Sequence, residues 1–300
     1  MVIFAVHTAP RHLPLGLRSR EWIKANTTPT TRRFLTTLYR LASPSELRAV
    51  TRFISRKHGT ETLYQRCWLV LMILRISLRV ECAHRESEIL TVVASILAVP
   101  PAEVGCIVEA GAYKGGSSAK YSLAASLVGR PLYVFDSFEG IPAHSERHLT
   151  TIDGAPTGFA AGDYAGSLDE VRTAIDNYGD SSVCHLIRGW FADTLPHFHE
   201  PVVVGYIDVD LASSTRTSMR YLYPRLTKNG IIYSQDGHLP LVVDVLRDDD
   251  FWSQEVEVSP PPIHGLGRQK LVAIYREGAD IGRPVLHSDA SSSWPRKASR

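Results

Sequence analysis

The sequence predicts an α/β fold: a doubly wound, mainly parallel sheet with helices on both faces. From Gly105 onward, short apolar runs alternate with stretches of helical spacing, the pattern of strands joined by crossover helices. The first run is followed by a glycine-rich turn and the second ends on an acid, Asp136, as in nucleotide-binding α/β units. Strands are expected at 106–110, 131–136, 183–188, 202–208, 230–235 and 270–276, with another near 254–258. Helices are expected at 116–128, 167–178, 212–226 and 239–247. The insert from Gly140 to Gly166, with five glycines and several polar residues, reads as a lid or substrate loop beside the strand ends.

Residues 1–85 form a basic, mostly helical extension, residues 86–277 the α/β domain, and residues 278–300 a polar, serine-rich tail expected to be disordered. Within the extension, helices are predicted at 31–42, from Pro44 to His58 behind a "SPSE" start, and from Glu61 to Val80 as a strongly apolar helix. Glu86–Leu97 then has helical spacing, closed by Pro100-Pro101. The 300-residue chain carries a net +2, unevenly spread: residues 1–85 hold fifteen Lys or Arg against four Glu, a balance of +11 that leaves −9 for the rest. The extension is expected to pack on the acidic domain of its own or a sister chain, making a homo-oligomer the expected state. It lacks a recognisable RNA-binding motif and a row of aromatics for base stacking, so no nucleic-acid partner is expected. The strongest apolar run, Cys67–Leu74, stops at Arg75, too short for a bilayer, which needs roughly 20 apolar residues. Four widely spaced cysteines without a CxxC pair argue against structural zinc and a disulfide framework, and fit the cytoplasm.

The richest stretch is "IVEAGAYKGGSSAKYSLAASLVGRPLYVFDSFEGIP", Ile107–Pro142. It is not the dinucleotide fingerprint, because Gly111 is followed by three residues and then Gly115-Gly116, and Glu109 stands just before the turn. A carboxylate there would be unwelcome to a pyrophosphate at a bare helix N-terminus. It suits a ligand carrying positive charge, such as S-adenosylmethionine with its ammonium and sulfonium.

Three further pieces, "GWFADTLP" (189–196), "YIDVDLASST" (206–215) and "LYPRLTKNGIIYSQDG" (222–237), follow in order. Together with "DSFEGIP" (136–142) they make residues 84–277 resemble the macrocin O-methyltransferase family, class I S-adenosylmethionine-dependent enzymes that methylate sugar hydroxyls of natural products. The resemblance implies a seven-stranded, Rossmann-like methyltransferase sheet whose last strand is antiparallel. It assigns the cofactor to Glu109, Gly111, Gly115, Gly116 and Ser117, to Asp136 with Ser137 beside it, to Trp190 and to Asp208. Asp136 would accept hydrogen bonds from the two ribose hydroxyls; otherwise it caps its turn. Trp190 is either a wall for adenine or ordinary core.

A sugar hydroxyl is a poor nucleophile at neutral pH, so a base or a metal must help remove its proton. Asp208 matches the family aspartate serving both purposes. Where the family carries an adjacent aspartate pair that completes a magnesium site with Asp208, this chain has Gln235-Asp236; one charge is lost, and Mg2+ remains possible through Asp208, Gln235 and Asp236. His238 is a second candidate base, or a ligand for a softer divalent metal, or simply structural. Asp210 is expected to begin a turn and cap the helix from Ala212. "HRESE" (84–88) either covers the cofactor or is an ordinary helix start, "RDDD" (247–250) is a solvated helix end, and His264 and Arg268 lie in a loop that could line the acceptor pocket. The expected partner is a small hydroxylated acceptor, a sugar or glycosylated molecule. A phenol or catechol acceptor, and an inactive cofactor-binding module, are the alternatives.

Overall fold

The computed structural model describes Arg40 and residues 42–276; most of the helix expected at 31–42, and the 278–300 tail, lie outside the described residues. Among the described residues, three helices precede the sheet: α1 (Pro44–Ser55), α2 (Leu63–Arg79) and α3 (Glu86–Ala98). The Ser43 hydroxyl caps α1, with Pro44 opening its first turn, where a missing N–H costs nothing. Thr62 and Gln65 form a reciprocal capping box on α2.

The alternating region then gives β1 (Cys106–Ala110), α4 (Gly116–Leu127), β2 (Leu132–Asp136), α5 (Leu168–Tyr178), β3 (Cys184–Arg188), the one-turn α6 (Phe191–Thr194), β4 (Val202–Ile207), α7 (Ala212–Leu222), β5 (Leu226–Ser234), α8 (Pro240–Arg247), β6 (Ile263–His264) and β7 (Val272–Tyr275). The strands form one sheet in the order β3-β2-β1-β4-β5-β7-β6. Strands β1 to β5 pair in parallel; β7 runs antiparallel to both β5 and β6. The strand order reverses between β1 and β4, and ligands bind at such a switch point, beyond the carboxyl ends of the strands.

Successive β1 residues point to opposite faces, and each face has its own core. Ile107, Val134, Val204, Tyr206 and Tyr233 pack with α1 to α5. Val108, Ala110, Phe135 and Ile207 pack with α7, α8 and Trp252. The basic segment is bound into the first of these layers: Phe53, Leu69, Ile73 and Ile76 are buried against Ile89, Val93 and Tyr121.

Two expectations are corrected. Residues 251–255 form one wide helical turn rather than a strand near 254–258. Its alternating "SQEVEV" was misleading because burial of Phe251 and Trp252 decides the conformation, with the indole Nε1 donating to the Leu246 carbonyl; the outer strand is Ile263–His264. Helix α7 stops at Leu222, before a short 3-10 turn at Tyr223–Arg225 that contains Pro224, and β5 therefore starts four residues earlier than expected.

Because Ile73 is sealed in the same core as the sheet-packing helices, Ile73→Ala should destabilise the protein by about 3 kcal/mol. A urea titration followed by tryptophan fluorescence and far-UV circular dichroism should show one coincident transition moved to lower denaturant. Separate transitions would show that α1 and α2 unfold apart from the sheet.

Candidate active site

The exit of β1 is built by absent side chains. Gly111 takes φ 92 and its N–H donates to the Phe135 carbonyl at 2.9 Å; a Cβ there would overlap the carbonyl oxygen of Asp208. Gly115 sits at φ 77 and starts α4 without a side-chain cap. A Cβ on Gly116 would lie 3.0 Å from that of Cys82, so residues 81–84 can pass tightly over the first turn of the helix. At the end of β2, Asp136 Oδ2 accepts the Ala112 N–H and Oδ1 the Phe138 N–H, each at 2.7 Å. Asp136 thus caps its turn, while each oxygen keeps a lone pair for a further donor.

These pieces surround a cavity of ≈ 960 Å³, counting the part open to solvent, lined by Gly111, Gly116, Ser117, Asp136, Ser137, Trp190 and Asp208 among others. Trp190 is 37% exposed and forms wall, not core. Glu109 and Gly115 do not line the cavity. Glu109 is fully buried beneath the Ser117 and Ser118 hydroxyls, and burial pushes its carboxyl up to about 7.

Opposite the glycine turn lies Asp208, just past β4. His84 Nε2 is 2.6 Å from Asp208 Oδ2, and Cys82 Sγ is 3.3 Å from His84 Nδ1. Burial pulls Asp208 upward, but the charge and hydrogen bond of His84 prevail and hold it below the ordinary aspartate value. One oxygen each from Asp208, Asp210 and Asp236 lie within 4.8 Å of one another. Burial and then mutual repulsion push Asp210 up to about 9 and Asp236 up to about 7. Lys270 lines the cavity beside Asp208 and Asp210; attraction to the acids outweighs burial and raises its ammonium above the ordinary lysine value.

Gln235, expected in a metal set with Asp208 and Asp236, is fully buried. Its amide oxygen accepts the Tyr206 hydroxyl at 3.3 Å inside the core, whereas Asp210 supplies the third carboxylate. Asp210 does not cap α7. It adopts φ 58, a strained value for a non-glycine residue, which turns its carboxylate toward Asp208 and Asp236; Asp236 Oδ2 accepts the N–H groups of Val209 and Asp210, both at 3.0 Å. Three hard carboxylate oxygens fit a Mg2+ ion better than the set containing Gln235. His238 does not line the cavity, and burial with the nearby Lys270 charge lowers its imidazole to about 4.

The cap on α7 comes from the 140–166 insert instead. Glu146 accepts the Ala212 N–H at 2.8 Å and the Ser213 N–H at 2.9 Å and is braced by His148 Nε2 at 2.9 Å. Ile152 N–H donates to the His238 carbonyl at 2.9 Å. The insert is therefore tied across the strand ends, with Tyr164 in the cavity wall. The "RDDD" end is less free than its charge suggests, since Asp248 pairs with Arg216. Neither His264 nor Arg268 lines the cavity.

Comparison with known proteins matches this arrangement to a family. The pattern of Macrocin-O-methyltransferase (TylF) fits residues 86–250, more than half of the chain and all of the region from α3 through α8. The chain belongs to the macrocin O-methyltransferase family. Over 158 residues it is 32% identical to the 8-demethyl-8-(2,3-dimethoxy-alpha-L-rhamnosyl)-tetracenomycin-C 4'-O-methyltransferase of Streptomyces olivaceus, a match spanning 48% of this chain and 57% of that protein. The solved O-methyltransferase NovP is 20% identical, with a TM-score of 0.52 over 86% of this chain and 99% of NovP; that likeness is one of fold, in keeping with the expected seven-stranded class I sheet.

The acidic cluster makes stability depend on pH. Asp210 and Asp236 are raised above their unfolded values, so the native state holds extra protons, and their contribution is lost as pH rises through about 7 and about 9. Cys82 is lowered to about 6 and acts oppositely, so the total slope is mixed. The increment from a bound cation isolates the cluster, because the ion competes with those protons. Thermal melts with Mg2+ or with chelator should differ more at pH 9 than at pH 6, and no Mg2+ effect at either pH would show that the cluster holds no such ion.

Proposed function

We propose that this protein is an S-adenosylmethionine-dependent O-methyltransferase acting on a hydroxyl of a sugar or glycosylated small molecule. The observation carrying the proposal is that the glycine turn, Asp136 and Asp208 face one cavity at the switch point of the sheet. Family membership and the rhamnosyl compound named for the Streptomyces olivaceus relative support a sugar acceptor.

The residues present fit the cofactor. Gly111 and Gly116 line the cavity with main chain alone, the unused lone pairs of Asp136 suit vicinal hydroxyls, and Trp190 offers a partly exposed ring at the same cavity. The cofactor would be held by Gly111, Gly116, Ser117, Asp136, Ser137 and Trp190, with Glu109 buried behind them. When bound, it supplies an electrophilic methyl group on a sulfonium. Asp208 faces the cavity from the acceptor side, and its ionised carboxylate takes the proton of the acceptor hydroxyl. A divalent ion held by Asp208, Asp210 and Asp236 would lower the acidity barrier of that hydroxyl. The insert bearing Tyr164 limits the entry of water.

Calorimetric titration with S-adenosylhomocysteine tests the cofactor assignment, and stoichiometric binding near micromolar, about 8 kcal/mol, is expected. Asp136→Asn should raise that dissociation constant about tenfold. An acceptor screen should include 8-demethyl-8-(2,3-dimethoxy-α-L-rhamnosyl)-tetracenomycin C, with and without Mg2+. On any acceptor that is methylated, Asp208→Asn should reduce kcat by about 100-fold or more while leaving cofactor binding within about threefold. A folded protein that binds no S-adenosylhomocysteine would overturn the cofactor assignment; an active Asp208→Asn enzyme would overturn the role of Asp208.

A further inference from the structure

Asp208 is not isolated at the mouth of β4. It ends a chain of side chains that runs back through the molecule and joins three segments far apart in sequence. Lys120, on the second turn of α4, is completely buried, and its Nζ lies 3.5 Å from Cys82 Sγ. From Cys82 the chain passes to His84 Nδ1 at 3.3 Å, and from His84 Nε2 to Asp208 Oδ2 at 2.6 Å. The His84 side chain is 7% exposed, and its ring meets Tyr206 edge-on, centroids 5.6 Å apart at 84°. It is thus fixed at both nitrogens and against one ring neighbour.

We propose that Lys120, Cys82 and His84 form a positioning chain for Asp208, in which His84 commits Oδ2 and leaves Oδ1 to meet the acceptor hydroxyl. The proposal rests on the reading of Asp208 as the group facing the acceptor. A carboxylate with both oxygens free samples several rotamers, and misplacement by about 1 Å at a reacting centre can cost 10²-fold in rate. A ring pinned at two nitrogens removes that freedom. Charge explains why the chain extends to Lys120: a fully buried ammonium needs a negative partner, and the Cys82 sulfur is the atom at its Nζ. Although burial disfavours a thiolate, the Lys120 and His84 charges lower Cys82 to about 6, so a negative sulfur can accept a hydrogen bond from Nδ1–H. In the doubly protonated ring, Nε2–H donates at the same time to Asp208. His84 does not touch the acceptor in this scheme; it acts through Asp208.

Two measurements on the full-length protein separate this proposal from the functional reading. The first needs no acceptor: proton NMR of 15N-histidine-labelled protein should show a far-downfield, slowly exchanging imidazole N–H from His84. The signal should vanish in His84→Gln and Asp208→Asn and shift in Cys82→Ala. Its absence from wild type, or indifference to Cys82→Ala, would overturn the chain whether or not the protein is a methyltransferase. The second uses the acceptor methylated in the screen. His84→Leu should lower kcat about 100-fold, whereas His84→Gln, which keeps an N–H donor, should recover at least part of that loss. Cys82→Ala, the mildest change and the safeguard if His84→Leu does not fold, should cost about tenfold in kcat. All should bind S-adenosylhomocysteine within about threefold of wild type. Equal losses for Leu and Gln, or losses appearing in cofactor affinity instead of kcat, would make His84 a structural residue only.

Discussion

The backbone contact between the exits of β1 and β4 is the constraint on which the site depends. Gly111 lies against the Asp208 carbonyl with no room for a Cβ, and Asp208 N–H donates to Ala110 at 2.9 Å. Two adjacent parallel strands therefore end at the same height, one opening into the glycine turn and the other into the acidic cluster. The proposed cofactor pocket and the proposed acceptor site become neighbours through the main chain, before any side chain is chosen. A methyl group passes directly from donor to nucleophile, so this spacing matters more than the identity of most lining residues.

The same contact creates an electrostatic problem. Asp208, Asp210 and Asp236 lie within 4.8 Å of one another, and crowded carboxylates that remain uncompensated take up protons. The fold answers at different points with different cations. His84 meets Asp208 directly, Lys270 approaches from the start of β7, and the N–H groups of Val209 and Asp210 absorb part of the charge on Asp236. Asp210 stays the least compensated, and it is also the residue held at positive φ. Strain and unrelieved repulsion at one residue are tolerated where a ligand's binding energy relieves them, and the proposed divalent cation would supply such relief.

The sequence made the sheet legible because strands buried on both faces and amphipathic helices impose different periods, and because the turn after β1 admits only glycine at Gly111. It made Asp136 and Asp208 legible as acids at strand ends. What escaped shares a cause: the partner comes from another part of the chain. His84 is 124 residues from Asp208 and, in sequence, is one histidine before a helix. Glu146 caps α7 from 66 residues away, so Asp210 was assigned a capping role that the insert had already filled. Lys270 becomes visible only once antiparallel pairing sets β7 beside β5, bringing its carbonyl to the Gly237 N–H. Period-based reading finds the elements; convergence of their ends is a tertiary fact.

This division bears on the basic extension. Composition alone led to the expectation that it packs on the acidic domain of its own or a sister chain; within the chain, Cys82 to His84 enter the cavity wall, and Phe53, Ile73 and Ile76 close the core above α3 and α4. The helices thus do more than cover apolar surface. They set the height at which the 81–84 segment crosses α4, and Gly116 permits that crossing at a backbone distance no alanine would allow without displacement. A shift of α2 would carry His84 with it and release Oδ2 of Asp208. Packing in the extension and orientation of the candidate base are coupled through the four residues between Arg79 and His84, so stability and turnover should respond together to changes in α2 even though none of its residues from Leu63 to Arg79 reaches the cavity.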